Sequence, residues 1–169
     1  ILEMLGDYED SLVQLALARN AKLQAYYDTA LEWMQNGQYD TAREIFLSLG
    51  DFKDSALQAV ACEAGKKQLL YEEAAALEEA GDAEGARKAF LSLGDFKDSA
   101  DRAKKLEEQL NQELYAKAAE LETDGEFEGA AEIFEMLGDF SDSADRAKAC
   151  REAQQFAGSD RKSTRLNSS

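Results

Sequence analysis

Apolar side chains recur along the chain at spacings of three and four residues on either side of a glycine. The skeleton reads Tyr-x-x-Ala-x-x-apolar-x-x-x-Gly-x-x-x-x-Ala-x-x-x-Phe-x-x-Leu-Gly. Such spacings put residues on one face of an α-helix, and glycine can adopt the left-handed conformation that ends a helix. The pattern therefore predicts a helical hairpin. It occurs at Tyr27, Ala30, Trp33, Gly37, Ala42, Phe46 and Leu49; at Tyr71, Ala74, Leu77, Gly81, Ala86, Phe90 and Leu93; and at Tyr115, Ala118, Leu121, Gly125, Ala130, Phe134 and Leu137.

The skeletons are joined by one recurring phrase, Leu-Gly-Asp-aromatic-x-Asp-Ser, which we call the junction phrase. Its four copies begin at Leu5, Leu49, Leu93 and Leu137, so the period is 44 residues without insertion or deletion. Self-similarity at such a period predicts stacked supersecondary units that share a core. We expect a partial unit at 1-4, whole units at 5-48, 49-92 and 93-136, and a partial unit at 137-159.

The junction phrase reads as the end of one helix and the start of the next. Gly50 is suited to a left-handed cap, and Asp51 to the N-cap of the helix that follows. Asp54, three residues later, resembles the acidic member of a capping box. The phrase therefore predicts helix punctuation and no chemistry of its own.

The first helix of each unit is predicted to be about twice as long as the second. From Asp51 to Gly81 the apolar positions keep one stripe in phase over nearly thirty proline-free residues. The stripe thins near Asn20, Gly65 and Gln109. Whether the long helix is continuous or kinked there stays open, and Gly65 changes the balance by about 1 kcal/mol.

Composition supports an all-α fold and narrows the classes of molecule that the chain is expected to bind. The chain has no proline and a formal charge of -16, which works against nucleic acid and anionic membranes. A protein or peptide partner, basic or neutral, is easier to accommodate. No apolar run reaches the roughly 18 residues that span a bilayer, so we expect a soluble segment, with the cytoplasm favoured.

The ends of the chain look like those of a fragment. The chain opens inside an element that a later copy contains in full. Residues 160-169, DRKSTRLNSS, have no counterpart in the repeats and resemble one translated frame of a widely used sequencing adapter. We therefore expect a fragment of metagenomic origin with a non-native tail; the alternative is a disordered Ser/Thr-rich tail. Uncapped ends predict exposed apolar surface at Ile1, Leu2, Leu5 and Phe156, and self-association there.

Part of each unit resembles a tetratricopeptide repeat. The resemblance rests on Gly37, Tyr39, Ala42 and Phe46, preceded by Ala30 and Trp33, and it recurs in three units. The period of 44 exceeds the family's 34, the usual proline is replaced by the junction phrase, and Ala83 stands where an aromatic is usual. The chain is thus similar to a tetratricopeptide-like solenoid with elongated first helices.

The resemblance implies a right-handed superhelix whose first helices line a concave face that binds a peptide or helix. The basic residues with which some members bind a peptide carboxylate are missing from this face. The tyrosines on it are either anchors for a partner or filling between hairpins. The implied face is Gln24, Tyr27, Leu31 and Met34; Gln68, Tyr71, Ala75 and Glu78; and Gln112, Tyr115, Ala119 and Glu122.

Enzymatic chemistry has little support in the sequence. Without histidine, Ser-His and Cys-His nucleophiles are excluded, and we expect no catalytic, cofactor-binding or metal-binding residues. Cys62 and Cys150 occupy one repeat position that also accepts alanine and leucine, so they are predicted core residues without a disulfide. Basic residues such as Arg102 and Arg146 predict either charge pairing between helices or a polarised binding edge.

These observations favour a protein-protein interaction scaffold, an internal part of a longer bacterial-type repeat protein that holds a peptide or helix on the concave face. The alternative is a passive structural spacer that positions other domains of the longer protein. Both hypotheses follow from a regular array in which no catalytic constellation is recognisable.

Overall fold

The computed structural model of the chain describes the backbone of residues 2-166 and the side chains of residue 8 and residues 10-156. Seven helices alternate between long and short, as the sequence predicts, and these residues contain no strand. The all-α prediction is confirmed. The helices are α1 Leu2–Gln35, α2 Tyr39–Leu49, α3 Ser55–Glu79, α4 Ala83–Leu93, α5 Ser99–Thr123, α6 Phe127–Leu137 and α7 Ser143–Leu166.

The chain divides into two compact units, Ile1–Glu73 and Ala74–Ser169, with the boundary inside α3. In the first unit, three helices surround one apolar cluster. Phe46 of α2 is fully buried there, and burial of such a ring contributes about 2 to 3 kcal/mol. The cluster consists of Tyr27 and Ala30 from α1, Ala42, Phe46 and Leu49 from α2, and Ala59 and Cys62 from α3.

The second unit repeats this arrangement and shows how a long helix is shared. The first half of α5 buries Ala103 and Leu106, and α5 packs against α4. Its second half buries Ala118 in a cluster with α6 and α7. The structural module is therefore a hairpin plus the first half of the next long helix, one helix more than the two-helix hairpin that the sequence predicts.

The glycine caps form as predicted. Gly37, Gly81 and Gly125, which end the long helices, have φ between 75° and 83°. Gly50 and its counterparts, which end the short helices, have φ of 56° to 58°. Left-handed backbone of this kind favours glycine, because other residues place a Cβ against the backbone.

The predicted N-cap at Asp51 is wrong. Helix α3 begins at Ser55, and residues 51-54 form a turn in which Lys53 is left-handed, with φ 52°. The Asp54 carboxylate accepts a hydrogen bond from the Tyr27 hydroxyl. The turn is therefore linked to a residue 27 positions away in sequence.

The first junction phrase differs from the others because it lies inside α1. In the later copies the phrase's aromatic ring packs on the tyrosine 25 residues upstream, as Phe52 does on Tyr27 and Phe140 on Tyr115.

The long helices are continuous where the apolar stripe thins. Asn20, Gly65 and Gln109 lie inside α1, α3 and α5, so none of these helices is interrupted there. Helix α7 extends to Leu166, and the proposed origin of the segment after residue 159 stays a prediction.

The predicted apolar ends are described only in part. Phe156 is 77% exposed, which confirms that prediction. The side chains of Ile1, Leu2 and Leu5 lie outside the described residues. Leu15 of α1 is 67% exposed, although its counterparts Ala59 and Ala103 are buried.

Candidate functional site

Two tyrosines of the predicted face, Tyr27 and Tyr115, pack against the aromatic rings of the core. Tyr27 is buried, with its ring edge-on to Phe46 at 5.5 Å and to Phe52 at 6.1 Å between centroids. Tyr115 has the same relation to Phe134 and Phe140, at 5.6 and 6.1 Å. Their geometry favours the filling role over the anchor role. Tyr71 is half-buried.

Each of these two tyrosines also donates a hydrogen bond to an aspartate of the junction phrase that follows it in the chain. The Tyr27 hydroxyl donates to Asp54, and the Tyr115 hydroxyl donates to Asp142. The hydrogen bond from Tyr27, with a second from Gln58, lowers the pKa of Asp54, while the bond to Asp54 raises the pKa of Tyr27. The conserved spacing of tyrosine and aspartate thus serves the helix-to-helix connection.

The glutamates of the predicted face are paired with arginines of the next long helix. Arg102 Nε donates to Glu78 at 2.9 Å, and Arg146 Nε donates to Glu122 at 3.0 Å. The Arg146 guanidinium also donates to the Tyr115 hydroxyl at 2.9 Å. These contacts raise the pKa of Arg146. Charge pairing between helices, one of the two alternatives for the basic residues, is therefore what these arginines do.

The remaining predicted positions lie on the helix surface. Gln24 donates to Asp28 at 2.7 Å, and Gln68 donates to Glu72 at 2.5 Å. Gln112 is exposed. Leu31 and Met34 are partly buried against the core of the first unit. Ala75 and Ala119 are partly buried as well, so both units present a helix face of mixed amide and apolar character.

A surface depression of about 500 Å³ lies beside this face in the first unit. It includes Gln24, and it adds two residues that sequence reasoning missed, Phe52 and Lys53 of the junction phrase. The Lys53 ammonium lies 4.7 Å above the Tyr27 ring, so the depression has a cation at its edge. The sequence did contain a signal for these two residues: the junction phrase has an aromatic in every copy, followed by a residue that differs between copies. The lining is Leu17, Asn20, Ala21, Gln24, Phe52 and Lys53.

A smaller depression of about 350 Å³ lies in the second unit. It is lined by Ala119, Glu120, Thr123 and Asp124 at the end of α5. Ala119 belongs to the predicted face, and the carboxylates beside it make the depression acidic. The two units therefore offer concavities of different charge at the edge of equivalent helices.

Both cysteines are core residues, as predicted. Cys62 and Cys150 are buried free thiols, and burial raises the pKa of each. A thiol with a raised pKa is a poor nucleophile at neutral pH. Among the residues that the structure describes, no group of three potential metal ligands comes together, and no helix is long and apolar enough to cross a membrane.

Comparison of the chain with protein-family models, with curated proteins and with solved structures finds no match.

Proposed function

We propose that the chain is a protein-protein interaction scaffold whose long helices present a binding face for a peptide or helix. The observation that supports this most is a division of labour between residues. The alanines and the phenylalanine that recur in every unit lie inside, whereas many exposed positions of the long helices differ between units. A constant frame with a variable face is how repeat proteins build binding surfaces.

The recurring alanines and phenylalanines of the frame are fully buried. Ala30, Ala42 and Phe46 have no exposed surface in the first unit, and Ala118, Ala130 and Phe134 have none in the second. The pairs Tyr27–Asp54 and Tyr115–Asp142 are used in connecting helices. The residues that differ between repeats are therefore available to recognise a partner, at positions such as Leu31, Ala75 and Ala119.

This organisation is similar to that of tetratricopeptide-like repeats with a long first helix. The similarity favours a helical or extended peptide as the partner and makes a clamp for a terminal carboxylate a poor candidate. The charge of -16 favours a basic partner and disfavours nucleic acid. The scaffold would act without a cofactor and without catalytic residues.

A peptide array probed with the full chain tests the proposal. We expect selective binding of a subset of peptides, weakened about tenfold or more by Gln24→Arg and Gln112→Arg, because a long cation replaces a contact amide in each unit. Gln38→Arg is the matched control, since Gln38 is an exposed glutamine in the loop before α2. It should leave binding within about twofold.

The alternative function is a passive spacer between other domains. If no peptide binds selectively, or if Gln24→Arg, Gln112→Arg and Gln38→Arg behave alike, the spacer is the better explanation. The ion pairs Glu78–Arg102 and Glu122–Arg146 suit a stiff spacer as well as a scaffold. Binding selectivity therefore decides between the two functions.

A further inference from the structure

One side of α1 is exposed although the equivalent side of each later long helix is buried. Leu15 is 67% exposed, and Ala18, which lies one turn later on the same side, is exposed as well. Leucine and alanine also occupy these positions in α5, in the opposite order. By the 44-residue register the counterparts are at most 5% exposed: Ala59 and Cys62 in α3, Ala103 and Leu106 in α5, and Ala147 and Cys150 in α7.

The counterparts are buried by the helices that come before them in the chain. Cys62 of α3 lies in one cluster with Tyr27 of α1 and Phe46 of α2. Cys150 of α7 lies in the equivalent cluster with Phe134 of α6, and α5 packs on α4. The place of Leu15 and Ala18 in the repeat therefore defines what fits them, which is a long helix and a short helix packed as a hairpin.

The residue after the buried pair forms an ion pair with the preceding short helix. In α3 and α5 it is a glutamate, and the short helix supplies an arginine. In α7 it is an arginine, and the short helix supplies a glutamate. The charge at this position therefore matches each long helix to an arginine-bearing or a glutamate-bearing short helix. The pairs are Arg43–Glu63 at 2.8 Å, Arg87–Glu107 at 3.8 Å and Glu135–Arg151 at 2.9 Å.

Two exposed cations lie beside Leu15 and Ala18 on α1. Arg19 is in the register of Arg151, and Lys22 is in the register of Lys66, which pairs with Asp40 in the first turn of α2 at 2.6 Å. A short helix that matches both cations carries one carboxylate in its first turn and another near its end. Helix α6 has this arrangement, with Glu128 and Glu135. We call Leu15, Ala18, Arg19 and Lys22 the exposed stripe.

The sequence around the four junction phrases follows the same pairing. Where the residue two positions before the phrase is leucine, a glutamate stands at the pairing position, and where it is glutamate, an arginine stands there. In the first copy both residues belong to α1, about 24 Å apart along its axis at 1.5 Å per residue. A glutamate for Arg19 therefore has to come from another hairpin. The four pairs are Glu3–Arg19, Leu47–Glu63, Leu91–Glu107 and Glu135–Arg151.

A second copy of the chain is a poor source of that hairpin. Each short helix that the structure describes is already covered by the long helix that follows it, α2 by α3, α4 by α5 and α6 by α7. A second copy would have to open one of its own modules before it could dock. The exposed stripe therefore suits a hairpin from elsewhere, with a short helix that is still uncovered.

We propose that the exposed stripe is the docking site for a helical hairpin of the same repeat type whose short helix carries glutamates as α6 does. The hairpin covers Leu15 and Ala18 with an aromatic side chain like Phe134 and brings a carboxylate to each cation. This surface is separate from the proposed binding face. Leu15 and Gln24 are about two and a half turns apart on α1 and so lie on opposite sides of it. The inference therefore does not depend on the proposed scaffold function.

The experiment titrates the full chain into a fluorescein-labelled peptide that copies residues 111–137, in about 0.3 M salt to screen the general repulsion of two acidic molecules. We expect saturable binding and increased hydrogen-exchange protection of residues 11–22. Leu15→Asp should lower the affinity about tenfold or more, because it places a carboxylate against the apolar side of the hairpin. Circular dichroism checks that the variant is folded.

Val13→Asp is the matched control for Leu15→Asp. Val13 is 55% exposed, and two residues of helix place it on the other side of α1 from Leu15. The change removes one apolar side chain and adds one negative charge, as Leu15→Asp does. It installs the residue that α5 and α7 have at this position, Asp101 and Asp145, both exposed. It should leave the affinity within about twofold.

An exchange of charges tests which kind of short helix is accepted. Ala131→Arg with Glu135→Leu in the peptide installs the residues of α4 at the two pairing positions. The unchanged chain should prefer the original peptide, and Arg19→Glu should shift the ratio of the two affinities toward the changed peptide by about threefold or more. Lys67→Glu makes the same charge change at an exposed position of α3 and should leave the ratio as it is.

Four results would overturn the proposal. They are no binding up to the solubility limit of the peptide, equal binding by wild type and Leu15→Asp, a ratio that Arg19→Glu leaves unchanged, and self-association in sedimentation equilibrium that Leu15→Asp abolishes. The last result would make a second copy the occupant. If an array peptide depends on Gln24 and Gln112 while the hairpin peptide fails, the scaffold stands and only this docking site is lost.

Discussion

Gly65 of α3 lies directly against the ring of Tyr39 of α2. A Cβ added at Gly65 would be 2.5 Å from Cε1 of Tyr39. The corresponding positions in the other modules pair Ala83 with Gln109 and Phe127 with Ala153. Where the short helix has a large residue at this position, the next long helix has a small one, and where the short helix has alanine, the long helix has the larger glutamine. This exchange also accounts for Ala83, which departs from the aromatic of the resembling family.

Gly65→Ala should destabilise the chain although alanine is the better helix former. Alanine gains about 1 kcal/mol of helix propensity, but it displaces the Tyr39 ring, and overpacking costs about 1 to 3 kcal/mol. In a Tyr39→Ala background the same change should stabilise by about 1 kcal/mol. Urea unfolding of the four chains measures this reversal. Equal effects of Gly65→Ala in both backgrounds would mean that the ring moves away freely.

Tyr27→Ala should cost about 3 kcal/mol of unfolding free energy, because it removes a ring packed on Phe46 and Phe52. Tyr26 is the matched control, since it is the adjacent residue and is 49% exposed. Tyr26→Ala should cost about 0.5 kcal/mol or less, as surface changes usually do. Chemical denaturation distinguishes the two. A small loss for Tyr27→Ala would return this residue to the set of partner anchors.

The hydrogen bond between Tyr27 and Asp54 should make stability depend on pH in two ranges. The pKa of Asp54 is lowered on folding, so its contribution exists above about pH 4 and is lost as pH falls through the folded value. The pKa of Tyr27 is raised, so its contribution exists below about pH 10 and is lost as pH rises through the folded value. The stability difference between wild type and Tyr27→Phe should therefore be largest near pH 7.

Urea unfolding at pH 2.5, 7 and 11 measures that difference. Tyr26→Phe serves as the control for the loss of a hydroxyl, since Tyr26 is about half exposed and no hydrogen bond from it is found among the described side chains. A Tyr27→Phe difference that is flat across the three pH values would show that the hydroxyl contributes no differential interaction with Asp54.

Local periodicity predicted the helices and their core alanines. The turn after the short helix and the pairing of Glu122 could not be predicted in this way, because they involve contacts between residues far apart in sequence. Ala30, Ala42 and Phe46 follow from helical spacing alone, because a buried stripe repeats every three or four residues. The turn at Asp51 was mispredicted, and the Tyr27–Asp54 hydrogen bond within it joins residues too far apart in sequence for a local rule to include. Glu122 was placed on an open face for the same reason, since its partner Arg146 lies on another helix.

Ser141→Gly should stabilise the chain by about 0.5 to 1 kcal/mol. Ser141 has φ 55°, a left-handed conformation that glycine adopts without cost. Lys53→Gly relieves the same strain but removes the ammonium above the Tyr27 ring, so its gain should be smaller. Thermal unfolding compares the two. Destabilisation by Ser141→Gly would mean that the serine side chain contributes more than the backbone strain costs.

Exchanging the ion pair of the second unit for the residues of the first should be less harmful than either single change. Glu122→Met leaves Arg146 without its carboxylate, and Arg146→Gln leaves Glu122 without its cation and also removes the guanidinium 4.6 Å from the Phe134 ring. Both side chains are about a quarter exposed, so solvent screening limits each loss to about 1 to 2 kcal/mol, larger for Arg146→Gln.

The double variant Glu122→Met with Arg146→Gln restores the pair of residues, Met34 and Gln58, that the first unit has at these positions. We expect a double-mutant cycle by urea unfolding to give a coupling energy of about 1 kcal/mol. Strictly additive losses would show that the pair contributes through each residue's own packing and not through the contact between them.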